Sequence, residues 1–460
     1  MSKIAVIGAG IAGIGVGIYL QNLGVDVDIF EKKDSLVSGP PMCHLHAGGN
    51  LYPEISDEQC LTLLKESIEL LRFFQNAIDF RPTVVAVRKD IDLNLDTVLK
   101  RLDKLKNGYK ELIQKDKNNK VLGEIEDYYK VYTKDDILKL KEKEYIKPKT
   151  LDDWMIPFAK NVDLDSIKWP VILVQEYGLN VFRIAAMAEI LLKNIRLNTE
   201  VIDITKNGEK WIVKYKNSDG EFSEEYDYII NAAGYESGKI DDMIDSKRER
   251  FTEFKAAYVV KWRDDIIWPE VVFLGERGTP KGMGQFTPYY GGYYQLHGMT
   301  KEITLFDNGL VKTDKSSYPN LDKEFVDKIE KGWDKDTIRS QKAVKHIKQF
   351  IPSFEAEVGY KPLYGAQQIP GDDETLRAAE VSFGDRYARC EIVKASSILS
   401  MADEIVKKLI SLGELKEESL GNREYKQTSS EEVDEVATKL AQKRGYPKEL
   451  GRIINKKGLN

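Results

Sequence analysis

Histidine is the side chain whose ordinary pKa lies closest to neutrality, and this chain of 460 residues has only 4 of them. Two, His44 and His46, fall in one Gly/Pro-rich stretch, Ser38-Gly-Pro-Pro-Met-Cys-His-Leu-His-Ala-Gly-Gly-Asn-Leu-Tyr-Pro-Glu. A third, His297, closes a segment dense in tyrosine and glycine, Gly282-Met-Gly-Gln-Phe-Thr-Pro-Tyr-Tyr-Gly-Gly-Tyr-Tyr-Gln-Leu-His-Gly. An imidazole among aromatic walls can take the proton of a hydroxyl or amine while the carbon bearing it gives up a hydride. His46, His297 and Tyr289 are therefore the candidate catalytic residues. Hydride chemistry also needs an acceptor, which no side chain supplies.

Residues 4–31 point to that acceptor. Ile4 to Ile7 is a short apolar run without charge, the pattern of a strand buried on both faces. Gly8, Gly10 and Gly13 follow at G-x-G-x-x-G spacing: the first allows a tight turn, the second lets backbone approach a pyrophosphate, the third lets helix pack close to strand. The anion would sit on the turn that holds Ala9, Ile11 and Ala12, where unpaired N–H groups and the positive end of the helix macrodipole favour it. Gly24 closes the helix, and residues 25–30 form a second strand. Glu31, followed by Lys32, then stands where a carboxylate accepts hydrogen bonds from the adenosine ribose hydroxyls. The same carboxylate repels a 2′-phosphate, which argues against NADP and leaves FAD and NAD.

The residues that separate these two lie far downstream. Residues 199–204, 211–215 and 226–234 read as strands around the turns Lys206-Asn-Gly-Glu and Asn217-Ser-Asp-Gly, a meander feeding a buried strand that ends Asn231-Ala-Ala-Gly. Small residues there let backbone pass close to a bulky ligand. An N-terminal βαβ unit, a distant meander and a strand ending Ala-Ala-Gly together resemble the FAD-binding domain of the D-amino-acid-oxidase superfamily of flavoproteins. The resemblance covers roughly residues 1–80, 170–240 and 360–412. It implies FAD as the cofactor, with the Val201 backbone meeting the adenine and Ala232, Ala233 and Gly234 near the ribityl and pyrophosphate. His46-Ala-Gly-Gly-Asn-Leu-Tyr-Pro is similar to stretches of the 2-hydroxy-acid dehydrogenases and malate:quinone oxidoreductases, which implies a flavin-covering loop with His44 and His46 toward the cofactor. Dimethylglycine and sarcosine dehydrogenases carry flavin covalently on a related histidine, a position His46 inherits; hydrogen bonding of both histidines to loop carbonyls or flavin oxygens is the alternative. Ala395 and Ser396 open a long helix whose N–H groups, by the same resemblance, approach the flavin N1–C2=O edge. Glu391-Ile-Val-Lys replaces the usual glycine-rich turn before that helix.

The expected fold is α/β: a Rossmann-like FAD-binding domain with a β-meander, from residues 1–80, 170–250 and 360–412, plus a mixed α+β substrate domain from residues 81–169 and 251–359. Residues 413–460 read as a charged helical appendage whose thin apolar stripe (Val433, Val436, Leu440, Tyr446, Leu450, Ile453) is a candidate contact for a second copy, a quinone or a membrane surface. The expected activity is oxidation of a CH–OH or CH–NH bond of a small molecule by hydride transfer to flavin N5, as a dehydrogenase or an oxidase. The alternatives are an FAD-dependent monooxygenase drawing on NAD(P)H and a flavin-binding protein without turnover. Relatives that bind carboxylates present an arginine in the segment matching Gly365-Ala-Gln-Gln. Gln367 and Gln368 stand there instead, so either Arg377 or Arg386 supplies the charge or the substrate is not a simple carboxylate. A net charge of −6 and a pI near 5.6 argue against nucleic acid as a partner. Cys43, Cys60 and Cys390 lack C-x-x-C spacing, which indicates neither a disulfide framework nor a zinc or other metal site. The chain enters a core strand at once and has no long apolar run, so a cytoplasmic location is expected.

Overall fold

An apolar strand with no polar side needs cover on both faces, and Lys3–Ile7 finds it in the interior of a six-stranded sheet. A computed structural model of the chain describes residues 2–38, 55–303, 310–313, 316–323, 325–326, 337–370, 380–391 and 394–456. It gives this sheet the order Glu380–Gly384, Tyr387–Glu391, Tyr228–Asn231, Lys3–Ile7, Asp26–Phe30, Ile195–Arg196. From Tyr387–Glu391 onward all neighbours are parallel. Their carboxyl ends therefore share one edge, the edge at which open α/β sheets bind ligands. The meander follows as a separate three-stranded antiparallel sheet of Glu200–Asn207, Lys210–Asn217 and Gly220–Tyr226.

Two segments depart from the sequence reading. Residues 384–397 read as a loop entering a helix, yet Glu380–Gly384 and Tyr387–Glu391 form a hairpin whose second strand joins the parallel sheet. Charge hid this strand: Arg389 and Glu391 are 4% and 2% exposed. Arg389 Nε donates to both oxygens of Asp241 at 2.7 Å, Arg250 Nη2 donates to Asp241 Oδ2 at 2.6 Å, and Arg250 Nε lies 3.0 Å from Glu391. The Tyr387 hydroxyl donates to Asp241 at 2.6 Å as well. A buried charge network holds together only as a whole. Asp241→Ala takes the carboxylate from Arg389 and one of two from Arg250, and is expected to cost about 3–5 kcal/mol of stability, seen as a lower denaturant midpoint at unchanged slope. The second departure is Leu363–Pro370, grouped with the cofactor segments by sequence, which pairs instead with Arg250–Lys261 in a nine-stranded sheet.

That larger sheet has Gly284–Tyr289 and Tyr293–Gly298 side by side, flanked by Glu270–Leu274 and Arg250–Lys261. One face packs Phe286, Tyr294 and Leu296 into a core with Trp154, Phe350 and Phe354. Residues of the other face, Val272, Ala257 and Val259, belong to the same core as Ile4, Val6 and Ile14 of the first sheet and its helix.

Residues 430–455 are not a detached appendage. Val433, Ala437, Leu440 and Ala441 of the Ser430–Lys443 helix are buried in the main core, against the Val181–Leu191 helix. Arg183 pairs with Asp434, Asn180 Nδ2 donates to the Leu450 carbonyl at 2.6 Å, and Arg444 Nε donates to Ser35 Oγ at 2.9 Å. The stripe expected to meet a membrane or a second copy is thus covered by the chain itself. Among the described residues, no helix is long and apolar enough to cross a membrane.

Candidate functional site

The glycines after Lys3–Ile7 divide into two kinds. Gly8 has φ 99°, and a Cβ there would lie 2.6 Å from the Ala232 carbonyl oxygen; a Cβ on Gly13 would lie 1.9 Å from the Gly8 carbonyl oxygen. Backbone closes both positions to any side chain. Around the Cβ position of Gly10 none of the described residues lies within 4 Å. Gly10 is also the N-cap of the Ile11–Asn22 helix and supplies no side-chain hydrogen bond to it. The first-turn N–H groups of that helix, at Ile11 and Ala12, therefore border a space that the described residues leave clear.

Glu31 borders this space. Its carboxylate accepts from Ala9 N and from Lys33 N, each at 2.9 Å, and the residue is 7% exposed. Burial pushes its carboxyl above the usual carboxylate range, outweighing those two donors and the nearby Lys33 and Lys32 charges. Lys32 Nζ pairs with Glu236 at 2.7 Å and so ties the end of the second strand to the turn after Gly234. Thr199 N donates to the Glu31 carbonyl at 2.9 Å, which sets the meander beside it; Val201 is buried with Phe30 and Ile7. Ala232 N donates to the Ile7 carbonyl at 2.9 Å and Ala233 N to Asn231 Oδ1 at 3.2 Å. Residues 8–13, 31–32, 201 and 232–234 are thus gathered at the carboxyl edge of the parallel sheet.

Ala395 and Ser396 reach the same edge. Ala395–Ser397 is a single tight turn leading into the Ile398–Ser411 helix. This helix lies along Ile11–Asn22: a Cβ on Gly15 would meet Ile398 Cδ1 at 2.8 Å, and the Tyr19 hydroxyl donates to Asp403 at 2.9 Å. Contacts advance together along both helices, so the two are parallel and their N-termini point the same way. Glu66, on the Asp57–Phe73 helix, accepts there from Ser397 Oγ at 2.6 Å and from Ser400 Oγ. Sequence reasoning missed Glu66. Its signal was a carboxylate inside the buried stripe of Leu63, Leu64, Ser67, Ile68, Leu70 and Leu71.

The larger sheet carries a second feature. On the face away from Phe286, Tyr294 and Leu296 stand the opposed pairs Gln285 and His297, Thr287 and Gln295, Tyr289 and Tyr293. Gln285, Thr287, Gln295 and His297 are all at most 8% exposed. A buried polar face is costly unless its groups find partners. Gln285 Nε2 donates to Glu270 at 2.6 Å, Arg81 Nη2 donates to Glu270 at 3.0 Å, and the Tyr289 hydroxyl donates to Gln295 Oε1 at 3.0 Å. His297 Nδ1 lies 3.1 Å from the Ala256 carbonyl. A carbonyl only accepts, so Nδ1 carries the hydrogen and Nε2 is the basic nitrogen of the neutral ring. Tyr289 and His297 share this face, but in antiparallel register they stand four residues apart along the strands, roughly 14 Å, and do not meet at one atom.

His44, His46, Cys43 and Arg377 lie outside the described residues. Arg386 is not a substrate cation: it pairs with Glu414 at 2.8 Å in a shallow cleft with Ser2 and Asp227, at the opposite end of the Lys3–Ile7 strand from Gly8.

No protein-family model matches the sequence, and no curated protein matches it. Solved structures do match the fold. Glycine oxidase from Geobacillus kaustophilus aligns with a TM-score of 0.52 at 13% identity over 89% of this chain and 95% of its own. L-proline dehydrogenase from P. horikoshii aligns with a TM-score of 0.55 at 16% identity over 90% and 94%. L-alpha-glycerophosphate oxidase from Mycoplasma pneumoniae, solved with FAD bound, aligns with a TM-score of 0.56 at 15% identity over 89% and 94%. The chain therefore has the α/β fold of these oxidoreductases, a Rossmann-like sheet with a meander beside a mixed α+β layer, as the sequence resemblance implied.

Proposed function

We propose, with that fold as premise, that the chain is an FAD-dependent oxidoreductase acting on a CH–OH or CH–NH bond of a small molecule in the cytoplasm. The observation that carries the reading is the space at Gly10 that the described residues leave clear, between positions that backbone closes and beside a carboxylate with acceptor capacity left over. FAD, when bound, supplies the hydride acceptor at N5. Gly10 and the first-turn N–H groups hold its pyrophosphate, and Glu31 accepts from the adenosine ribose hydroxyls. The Val201 backbone borders the adenine, and residues 232–234 let the remainder of the cofactor run close to the main chain. The six-stranded sheet and meander serve as the cofactor domain and the nine-stranded sheet as the substrate domain. His297 Nε2 takes the substrate proton, and Gln285, Thr287 and the Tyr289–Gln295 pair line the polar face around it.

Glu31→Ala should weaken FAD binding by about 1–3 kcal/mol, the loss of charge-assisted bonds to two hydroxyls, measured by titrating apoprotein with FAD. The sign of the pH effect follows from the raised carboxyl. Ribose hydroxyls donate to the ionised form, so FAD pulls the Glu31 titration downward, and affinity falls on acidification through that interval. Glu31→Ala abolishes the dependence. The function itself is tested by anaerobic addition of hydroxy acids, amino acids, NADH and NADPH to the yellow protein, with bleaching of the flavin band expected for a hydroxy or amino compound. A protein that stays colourless after purification with excess FAD overturns the reading.

A further inference from the structure

We propose that Glu66 sets the electron affinity of the flavin, its carboxylate opposing the charge that the ring gains on reduction. The inference rests on the FAD reading above. Along the carboxyl edge of the parallel sheet the order is Asp26–Phe30 with Glu31, Lys3–Ile7 with Gly8, Tyr228–Asn231 with residues 232–234, and Tyr387–Glu391 with the turn that begins at Lys394. A dinucleotide with its ribose at Glu31 and its pyrophosphate at Gly10 already occupies the first two places. Its other half extends past residues 232–234 toward Ala395–Ser397. That is where Glu66 accepts from Ser397 and Ser400.

The carboxylate is 8% exposed, and among the described residues no cation is paired with it; its partners are two hydroxyls. Burying an anion on such terms is unfavourable, and the stripe of leucines around it would accept a neutral side chain at less cost. Stability therefore does not account for Glu66. Its charge and the helix start beside it act in opposite senses on a neighbouring ring: the N–H groups favour negative charge, and the carboxylate disfavours it. The serine hydroxyls, by donating to Glu66, moderate the repulsion without removing it. Glu66 is thus a positioning residue for charge.

The test uses the purified FAD-loaded protein. Sulfite adds reversibly to oxidised flavin and leaves negative charge on the ring, so its dissociation constant, read from loss of the flavin band, reports the local field. Glu66→Gln keeps both hydrogen-bond partners and removes the charge. It should tighten sulfite binding about tenfold and raise the two-electron midpoint potential by about 30 mV, the equivalent of one such factor. The double variant Ser397→Ala with Ser400→Ala leaves the carboxylate unmoderated and should shift both readings the other way; it carries the test if Glu66→Gln does not fold. A merely structural Glu66 would change the melting temperature and leave sulfite affinity and potential within twofold of the parent. That result, or shifts of the same sign in both variants, overturns the inference while the FAD assignment stands. A parent protein that binds no FAD overturns both.

Discussion

Gly10→Glu is expected to give a protein that folds as the parent does and binds no FAD. Among the described residues nothing lies within 4 Å of the Gly10 Cβ position, so a side chain there starts clear of them, and the helix it caps loses no side-chain hydrogen bond. What it meets, on the proposed reading, is the pyrophosphate of FAD. A carboxylate within about 4 Å of the pyrophosphate repels it by about 4 kcal/mol at the effective dielectric of a protein surface, roughly a thousandfold in affinity before displacement is counted. Gly13→Ala is the opposite case and serves as the control. Its Cβ would lie 1.9 Å from the Gly8 carbonyl oxygen, so that variant should lose melting temperature and colour together. The ratio of flavin to protein absorbance, set beside a thermal melt, separates the two. Full yellow colour in Gly10→Glu would mean that the flavin sits elsewhere.

His297→Ala should slow flavin reduction by about 10²–10⁴-fold while FAD remains bound, the usual contribution of a positioned base. The hydrogen bond between Nδ1 and the Ala256 carbonyl fixes which nitrogen is basic, and the ring lies on the polar face with Gln285 and Gln295. Anaerobic stopped-flow reduction by the best substrate of the panel gives the rate. Loss of the limb of the pH profile that reports a base distinguishes this role from simple packing. Reduction at the parent rate and with the parent pH profile would remove His297 from the chemistry, and His46 would be the next residue to replace.

The parts of this fold legible in the sequence are those written in short range. The βαβ unit needs about thirty consecutive residues, and each glycine has a local reason. The meander announces itself through Asn207-Gly208 and Asp219-Gly220 between alternating runs, and its observed strands, Glu200–Asn207, Lys210–Asn217 and Gly220–Tyr226, meet at those turns. Tyr387–Glu391 was hidden because Arg389 and Glu391 read as surface residues. Their partners, Asp241 and Arg250, lie more than a hundred residues upstream, and only the folded chain brings the charges together. Glu66 was hidden for the same reason, its serines being 331 and 334 residues away. The tyrosine-rich hairpin was recognisable as a pair of strands. Which of its faces carries the polar set was not, because both faces are buried and only the register of Gln285 against His297 decides it.

Arg444 reaches back to Ser35 across 409 residues and also donates to the carbonyls of Leu36 and Val37, while Asn455 N donates to Asp79 at 3.0 Å. The segment that follows Glu31 is therefore braced by residues made long after it. At ribosomal speeds of about 5–20 residues per second, roughly 20–80 s separate synthesis of Ser35 from that of Arg444. During that interval the βαβ unit emerges with its glycine turn formed locally and one wall of its crevice still missing. Assembly of the proposed nucleotide crevice is on this account a late, long-range step, and a nascent chain halted before residue 444 would lack the brace that Arg444 gives to residues 35–37.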